Sequence, residues 1–224
     1  MSNKYTAETF LQTLKPLVLK DMQNSGIFAS LTAAQAFIES NKGNSGLTTR
    51  ANNLFGMKGQ YNGQSVSMKT TEYYNGVKTT IVDNFRKYPS WQESINDHSG
   101  LFNRSRRYEN LRGEQDYLKA CINVKNDGYA TSPTYTQTLT NIIKTYKLDI
   151  WDYEVIRLYP VINLRTVKNG SKGGGVRLLH EKLNIVIDGI FDTITEYAVK
   201  KFQREHGLVI DGIVGNKTWT ELIR

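Results

Sequence analysis

Apolar positions recur every three or four residues over long tracts of this chain, with polar residues between them, so the pattern is mainly helical. It predicts helices over Thr6 to Asn24 and over Thr32 to Ser40, the second opened by Thr32-Ala-Ala-Gln35 as a capping box. Another such box, Ser90-Trp-Gln-Glu93, starts a helix that runs to about Phe102. A helix over about Glu114 to Asn126 stops at Gly128, and Ser132-Pro133 opens the next with proline at its first position. The period changes in the middle, where SVSMKTTEYY and VKTTIVDNF flank Asn75-Gly76. Two β-prone runs around that dipeptide predict a hairpin. If the turn joins the strands directly, Tyr74 faces Val77 and Glu72 faces Thr79, and alternation puts Glu72 on one face with Thr70, Tyr74 and Ile81.

Near the C-terminus the pattern repeats itself. VIDGIFDTIT, from Val186, recurs 23 residues later as VIDGIVGNKT, from Val209, which implies a duplicated small unit. Each copy has an Asp-Gly turn, Asp188-Gly189 or Asp211-Gly212, followed by a threonine suited to capping a helix, Thr195 or Thr218. Between them Tyr197, Val199, Phe202 and His206 fall at helical spacing, with Gly207 as the stop. Upstream, VRLLHEKL forms a short amphipathic helix entered from the loop NGSKGGG. These elements predict a helical module of about sixty to seventy residues, a size that folds alone only with tight packing.

The bulk numbers narrow the possible functions. A chain of 224 residues fits one medium domain plus a small one. The net charge of +8 points to a polyanionic partner: nucleic acid, a membrane surface or a wall polymer. Up to Asp152 there are 18 basic residues against 13 acidic, and beyond it 11 against 8, so the basicity is spread rather than gathered into a nucleic-acid-binding arm. The single Cys121 excludes an intrachain disulfide and any multi-cysteine metal site. His98, His180 and His206 stand far apart without paired metal-ligand spacing, so a zinc hydrolase is poorly supported. No segment is long and apolar enough to span a membrane, and the N-terminal stretch lacks the apolar core and cleavage site of a signal peptide. The expectation is synthesis in the cytoplasm.

Two carboxylates stand out. Glu39 follows Ala33, Ala34, Ala36, Phe37 and Ile38 and precedes the helix-stopping Asn-Lys-Gly. The negative end of the helix dipole and poor hydration both oppose its ionisation, so its pKa should rise. An acid held neutral near pH 7 can protonate the leaving oxygen of a glycosidic bond. The alternative is a solvated residue at a helix end. Glu72, among aromatic and hydroxyl groups, could bind sugar or orient water, or be an exposed strand residue. Tyr129, Tyr135, Phe55 and Trp91 suit a core as well as a cleft.

Taken together, AQAFIES, NNLFGMKG, TTEYYNG, FRKYPSWQESINDHSGLF and GYATSPTYTQTLTNIIKTYKL resemble the peptidoglycan N-acetylglucosaminidases of glycoside hydrolase family 73, from about Ala34 to Asp152. The tail, with VRLLHEKLN, two IDGI turns, AVKKFQREHGL and KTWTEL, is similar to the small three-helix peptidoglycan-binding domain found on wall hydrolases. The resemblance implies a mainly α architecture. Residues 1–152 would form a lysozyme-like α+β catalytic domain with a small, mobile β-hairpin lobe, and residues 153–224 a linker and a three-helix binding domain. Glu39 matches the general acid, Glu72 the second, β-lobe acid, and Tyr129 the cleft tyrosine. Asn53, Phe55 and Tyr135 are the sugar contacts it suggests. The 2-acetamido group of the substrate can itself act as nucleophile, so one protein acid can suffice.

The implied activity is endo-acting cleavage after N-acetylglucosamine in bacterial wall glycan, without metal or cofactor, by a monomer that neither inserts into membranes nor binds nucleic acid. Without a signal peptide it looks like a phage or prophage endolysin, made in the cytoplasm and acting on the wall after release. The alternatives are a muramidase, cutting after N-acetylmuramic acid, and a non-catalytic wall-binding virion protein. The tail departs from its family at Asp192, where the second repeat has Gly215 and the family usually has glycine. A left-handed turn at that position would suit glycine and disfavour aspartate.

Overall fold

The computed structural model describes residues 4–74, 77–112, 114, 116–158 and 164–224, with the side chains of 71–74, 77 and 78 outside that description. Its mainly helical fold carries one small antiparallel hairpin. Helix α1 (Ala7–Ser25) begins on a reciprocal cap: Thr6 accepts from the Thr9 amide, and the Thr9 hydroxyl accepts from the Thr6 amide at 2.9 Å. Its inward stripe of Phe10, Leu11, Leu14, Val18 and Met22 is buried, as the three-to-four spacing requires. Gly26 ends it at φ 72°, in the left-handed region where no Cβ penalty applies.

Helix α2 (Ala29–Glu39) crosses the centre and packs on α1 and on helices from the second half of the chain. It begins three residues before the expected Thr32. Thr32 lies buried inside the helix, and Phe28, at the N-cap position, offers no side-chain bond. The cap comes from elsewhere: the Asp152 carboxylate accepts from the Ser30 amide at 2.8 Å and from the Ser30 hydroxyl at 2.5 Å. Burial of Ala29, Ser30 and Leu31 extends the helix backwards, and a residue 122 positions away satisfies its free N–H groups.

After the short α3 (Gly46–Ala51) come β1 (Ser65–Tyr74) and β2 (Val77–Arg86). Their register pairs Glu72 with Thr79 and Tyr74 with Val77, as the sequence predicts; Asn75 and Gly76 lie outside the described residues. The hairpin holds to the body by its base, where Phe85 is buried and the Arg86 amide donates to Met57 O at 2.9 Å, while Val82 further out is exposed. A charged clamp reinforces the base. Asp97, on α4 (Trp91–Arg104), binds Arg86 and Arg104 and accepts from the Tyr88 hydroxyl at 2.7 Å. Burial pushes the Asp97 carboxyl up, but its bonds to Tyr88 and Arg86 outweigh that and hold it below the usual range.

Ser90 caps α4 as expected, accepting from Gln92 N and bonding Glu93. A 3-10 turn (Arg106–Leu111) leads to α5 (Tyr117–Asn126), which starts later than expected because Asp116 caps it. Helix α6 (Tyr135–Tyr146) likewise begins two residues past Pro133. Helix α7 (Asp149–Leu158), which the pattern does not announce, carries Asp152, so the expected boundary at 152/153 falls inside a helix.

The rest is a three-helix module of α8 (Gly174–Lys182), α9 (Thr193–Glu205) and α10 (Asn216–Ile223). Its duplication is deeper than the turn motif. In the two Asx turns, Asp188 Oδ1 accepts from Ile190 N and Asp211 Oδ1 from Ile213 N, both at 2.8 Å, with Gly189 and Gly212 left-handed at 78° and 73°. Beneath them His180 bonds Thr195 at 3.0 Å, and Gln203, 23 residues on, bonds Thr218 at 3.3 Å.

Two expectations change here. Thr195 and Thr218 lie inside the helices, and the N-cap positions are Asp192 and Gly215. Both of these are extended, at φ −105° and −91°, so no left-handed turn is needed and aspartate fits as well as glycine. Asp192 indeed accepts from Thr195 N at 2.9 Å.

The module is seated against α7. A Cβ on Gly174 would stand 2.9 Å from Ile156 Cδ1 and 3.0 Å from the Tyr153 backbone nitrogen, so only glycine allows that approach. Arg177 grips Asp149 through Nε and Nη2 at 3.0 and 2.7 Å, and the Tyr153 hydroxyl donates to Glu181 at 2.6 Å.

Candidate active site

Glu39 is the last residue of α2, at the end of a run from Ala29 to Ala36 that is buried throughout. Glu39 itself is exposed, yet the protein packed around its carboxyl still raises its pKa by desolvation; a hydrogen bond from Tyr135 pulls the other way. The direction of this shift is the one the sequence predicts.

Tyr135, the first residue of α6, donates its hydroxyl to Glu39 Oε1 at 3.1 Å and accepts from Gln35 Nε2 at 3.2 Å. Gln35 and Glu39 are four residues apart and share a helix face. The amide thus fixes the hydroxyl proton towards the carboxylate. Burial first, and then the Glu39 charge, push the Tyr135 pKa up, so the hydroxyl remains a donor. Only 6% of Tyr135 is exposed, so little of it is open to a sugar and its hydroxyl is occupied by Glu39 and Gln35.

Tyr129 follows the left-handed Gly128 at the end of α5, and its ring lies 6.1 Å from that of Tyr135 at an interplanar angle of 28°. Burial, then the nearby Tyr135 and Glu39, keep its hydroxyl protonated. Its ring meets His98 edge to face and lies tilted against Phe102. His98 is wholly buried, its pKa pushed down to about 3 by burial, and stacks on Phe55 with ring centres 3.8 Å apart. Phe55 therefore forms the floor of an aromatic column under the site, not the sugar contact suggested by resemblance.

Asn53 is likewise buried. Its Nδ2 donates to Met57 O and Arg86 O, both at 2.9 Å, and its Oδ1 accepts from Met57 N at 3.0 Å. Those bonds close the 53–57 loop and tie it to the base of β2, so Asn53 holds the hairpin and has no free donor for a sugar. Glu72 occupies its expected strand position opposite Thr79, but its side chain is outside the described residues. Sequence reading missed Gln35 as a member of the site, although the four-residue spacing before Glu39 was there to be read. It also missed the Asp97 clamp, whose partners lie 7 to 11 residues away, and Asp152, whose partner Ser30 is 122 residues away.

Comparison with known proteins gives the family of each part. The family model described as mannosyl-glycoprotein endo-beta-N-acetylglucosaminidase matches residues 15–148, and one described as a putative peptidoglycan binding domain matches residues 174–222. The exo-glucosaminidase LytG of Bacillus subtilis is 40% identical over 131 residues, which cover 56% of this chain and 46% of that protein. A probable N-acetylmuramidase of Lactococcus lactis is 33% identical over 154 residues, covering 66% of this chain and 35% of the relative. The chain thus spans less than half the length of either. The crystal structure of the catalytic domain of the autolysin Auto from Listeria monocytogenes superposes with a TM-score of 0.63 at 33% identity, covering 68% of this chain and 91% of that domain.

Proposed function

Because the chain belongs to the glucosaminidase family through residues 15–148, we propose that it is a glycoside hydrolase of bacterial peptidoglycan, cutting within the glycan after N-acetylglucosamine. The observation that supports this best is Glu39 at the end of α2 with the Tyr135 hydroxyl on its carboxyl and its pKa raised. Burial shifts the acid towards its protonated form. As it gives its proton to the leaving glycosidic oxygen, it acquires charge, and the hydrogen bond from Tyr135 strengthens with that charge. The same bond therefore favours the transition state over the ground state. Attack at the anomeric carbon comes from the acetamido oxygen of the substrate or from water, and the Glu39 carboxylate then takes a proton from the water that completes hydrolysis. Glu72, on the hairpin, orients that water or stabilises the positive intermediate, and Tyr129 supplies a protonated hydroxyl.

We assign the catalytic unit to the chain through α7 and the wall-holding unit to the module beyond it, acting together as a monomer. The setting we propose is cell lysis of the endolysin kind, tested by expressing the chain in a Gram-positive host with and without a membrane pore.

The primary test is digestion of purified walls by the parent chain and Glu39→Gln, with borohydride reduction and mass spectrometry of the products. Glucosaminitol-ended oligomers from the parent, with a rate loss of about a thousandfold in the variant, or about 4 kcal/mol of barrier, are the expected result. Near-native activity of Glu39→Gln overturns the role of Glu39. Muramicitol ends would establish the second reading, which the Lactococcus lactis relative favours by its name. Release of single sugars alone would make the enzyme exo-acting, as the Bacillus subtilis relative is named. Wall binding without any cleavage would leave a binding protein.

A further inference from the structure

The two repeats of the C-terminal module share their scaffold but not their surface. Val176 and Val199, Leu179 and Phe202, His180 and Gln203, and Thr195 and Thr218 correspond at the 23-residue offset and hold the module together. The Val-Ile turn is exposed alike in both copies: Val186 is 81% and Val209 75% accessible. The difference lies on the following helix. In the first repeat its outer face presents Ile194 and Tyr197, which are 70% and 72% exposed; in the second the same positions are Lys217 and Thr220. A helix face turned to water ordinarily carries residues of the second kind, so the fold does not require the isoleucine or the tyrosine.

Ile194 and Tyr197 border a groove. Two adjoining depressions of about 360 and 400 Å³ share Ile185 and Ile194 as a common wall; one continues along Tyr197 and Phe202, the other towards Val186 and Asp188. Each falls in the size range of small-ligand sites, roughly 300–1,000 Å³. The charges around them give two lysines against three acids: Lys182 and Lys201 border the first with Glu205, and Asp188 and Asp192 border the second. Burial keeps the pKa of His180 low, so it adds no positive charge at neutral pH. A polyanion finds no excess of positive charge in such a groove. Neutral sugar rings and acetamido methyl groups, by contrast, match an apolar floor with an exposed tyrosine and scattered polar groups.

We propose that the first repeat alone carries the wall-binding site, a groove along Ile185, Ile194 and Tyr197 that takes the N-acetylated glycan strand, while the second repeat serves as scaffold. The assignment rests on the reading of this module as the wall anchor. Pelleting on walls stripped of anionic polymers, in the Glu39→Gln chain so that walls survive, tests it. Tyr197→Ala with Ile194→Ser should weaken pelleting at least tenfold, and Tyr197→Phe, which keeps the ring, should restore most of it when paired with Ile194. Lys217→Ala with Thr220→Ala should change nothing. With Glu39 intact, cleavage of short soluble glycan should be unaffected by any of these changes. Pelleting should also vary little between low and high salt and should fall on chemically de-N-acetylated walls.

Undiminished pelleting of the Tyr197→Ala, Ile194→Ser chain overturns the groove, as does equal loss from the second-repeat variant or a steep salt dependence. A dimer that dissociates on Tyr197→Ala would make the face a contact between two copies and overturn it too. Failure of the Glu39→Gln parent itself to pellet would instead overturn the anchor reading on which the proposal stands. Both groove side chains are mostly in water, so matching melting curves will separate lost binding from lost fold.

Discussion

At Glu39 two opposing influences meet on one carboxyl, and the balance between them is testable. The Tyr135 hydroxyl stabilises the ionised form, so Tyr135→Phe leaves burial acting alone and raises the Glu39 pKa further. A general acid loses activity as pH rises through its pKa. The alkaline limb of the kcat profile for Tyr135→Phe should therefore lie at higher pH than that of the parent, with a lower plateau because the transition state loses its hydrogen bond. An alkaline limb that does not move would detach Tyr135 from the acid. Glu39 could be read from the sequence because its oddity is local, an acid at the end of an apolar helix. Tyr135 could be named from the resemblance as a sugar contact, but not its bond to Glu39, which crosses 96 residues and exists only through the packing of α6 beside α2. Asn53 and Phe55 were legible as neighbours of the site but not as its buried supports, because a motif gives proximity and not the direction a side chain takes.

For the helices, legibility follows the range of the signal. Thr6 and Ser90 sit beside the helices they cap, and the two paired β-prone runs are neighbours in sequence, so these elements could be placed from the pattern alone. The start of α2 could not, because its cap is Asp152. Burial pushes that carboxyl from 3.8 up to about 8 even though two bonds from Ser30 oppose the shift. An aspartate held neutral in the fold but ionised in the unfolded chain contributes stability that is fully present below about pH 4 and is lost as pH rises towards 8. The melting temperature should thus fall over that interval, and Asp152→Asn, which can accept from the amide and donate to the hydroxyl of Ser30 without charge, should flatten the slope. Asp152→Ala, leaving both Ser30 groups unpaired in a dry site, should cost about 1–3 kcal/mol in urea unfolding. At the other face of α7, Gly174→Ala forces a methyl against Ile156 and should destabilise the chain by about 1–3 kcal/mol. A neutral result there would show that the module can shift away from α7.

For the whole molecule, the seating of the module on α7 sets where the chain can be divided. A cut at 152/153 would break the helix that caps α2, whereas a chain ending at Leu158 keeps it. That shorter chain should cleave soluble glycan at near-parental rate and lose about ten- to a hundredfold on intact walls, since the module adds effective concentration and no chemistry. Equal losses on both substrates would mean that α8 is needed for the catalytic fold. The two-part organisation was readable in the sequence from the 23-residue repeat, but the tight contact between the parts was not, because it depends on single residues such as Gly174 and Arg177 meeting partners on α7.

The cap on α2 also has a meaning in time. During synthesis α2 emerges more than a hundred residues before Asp152. Contacts so distant in sequence form late in folding, after the cost of closing the intervening loop has been met. A growing chain can already hold Glu39, yet the first turn of its helix stays unfinished until α7 has been made and docked. The order of synthesis therefore places the capping of α2 after every other element of residues 7–148 has been made.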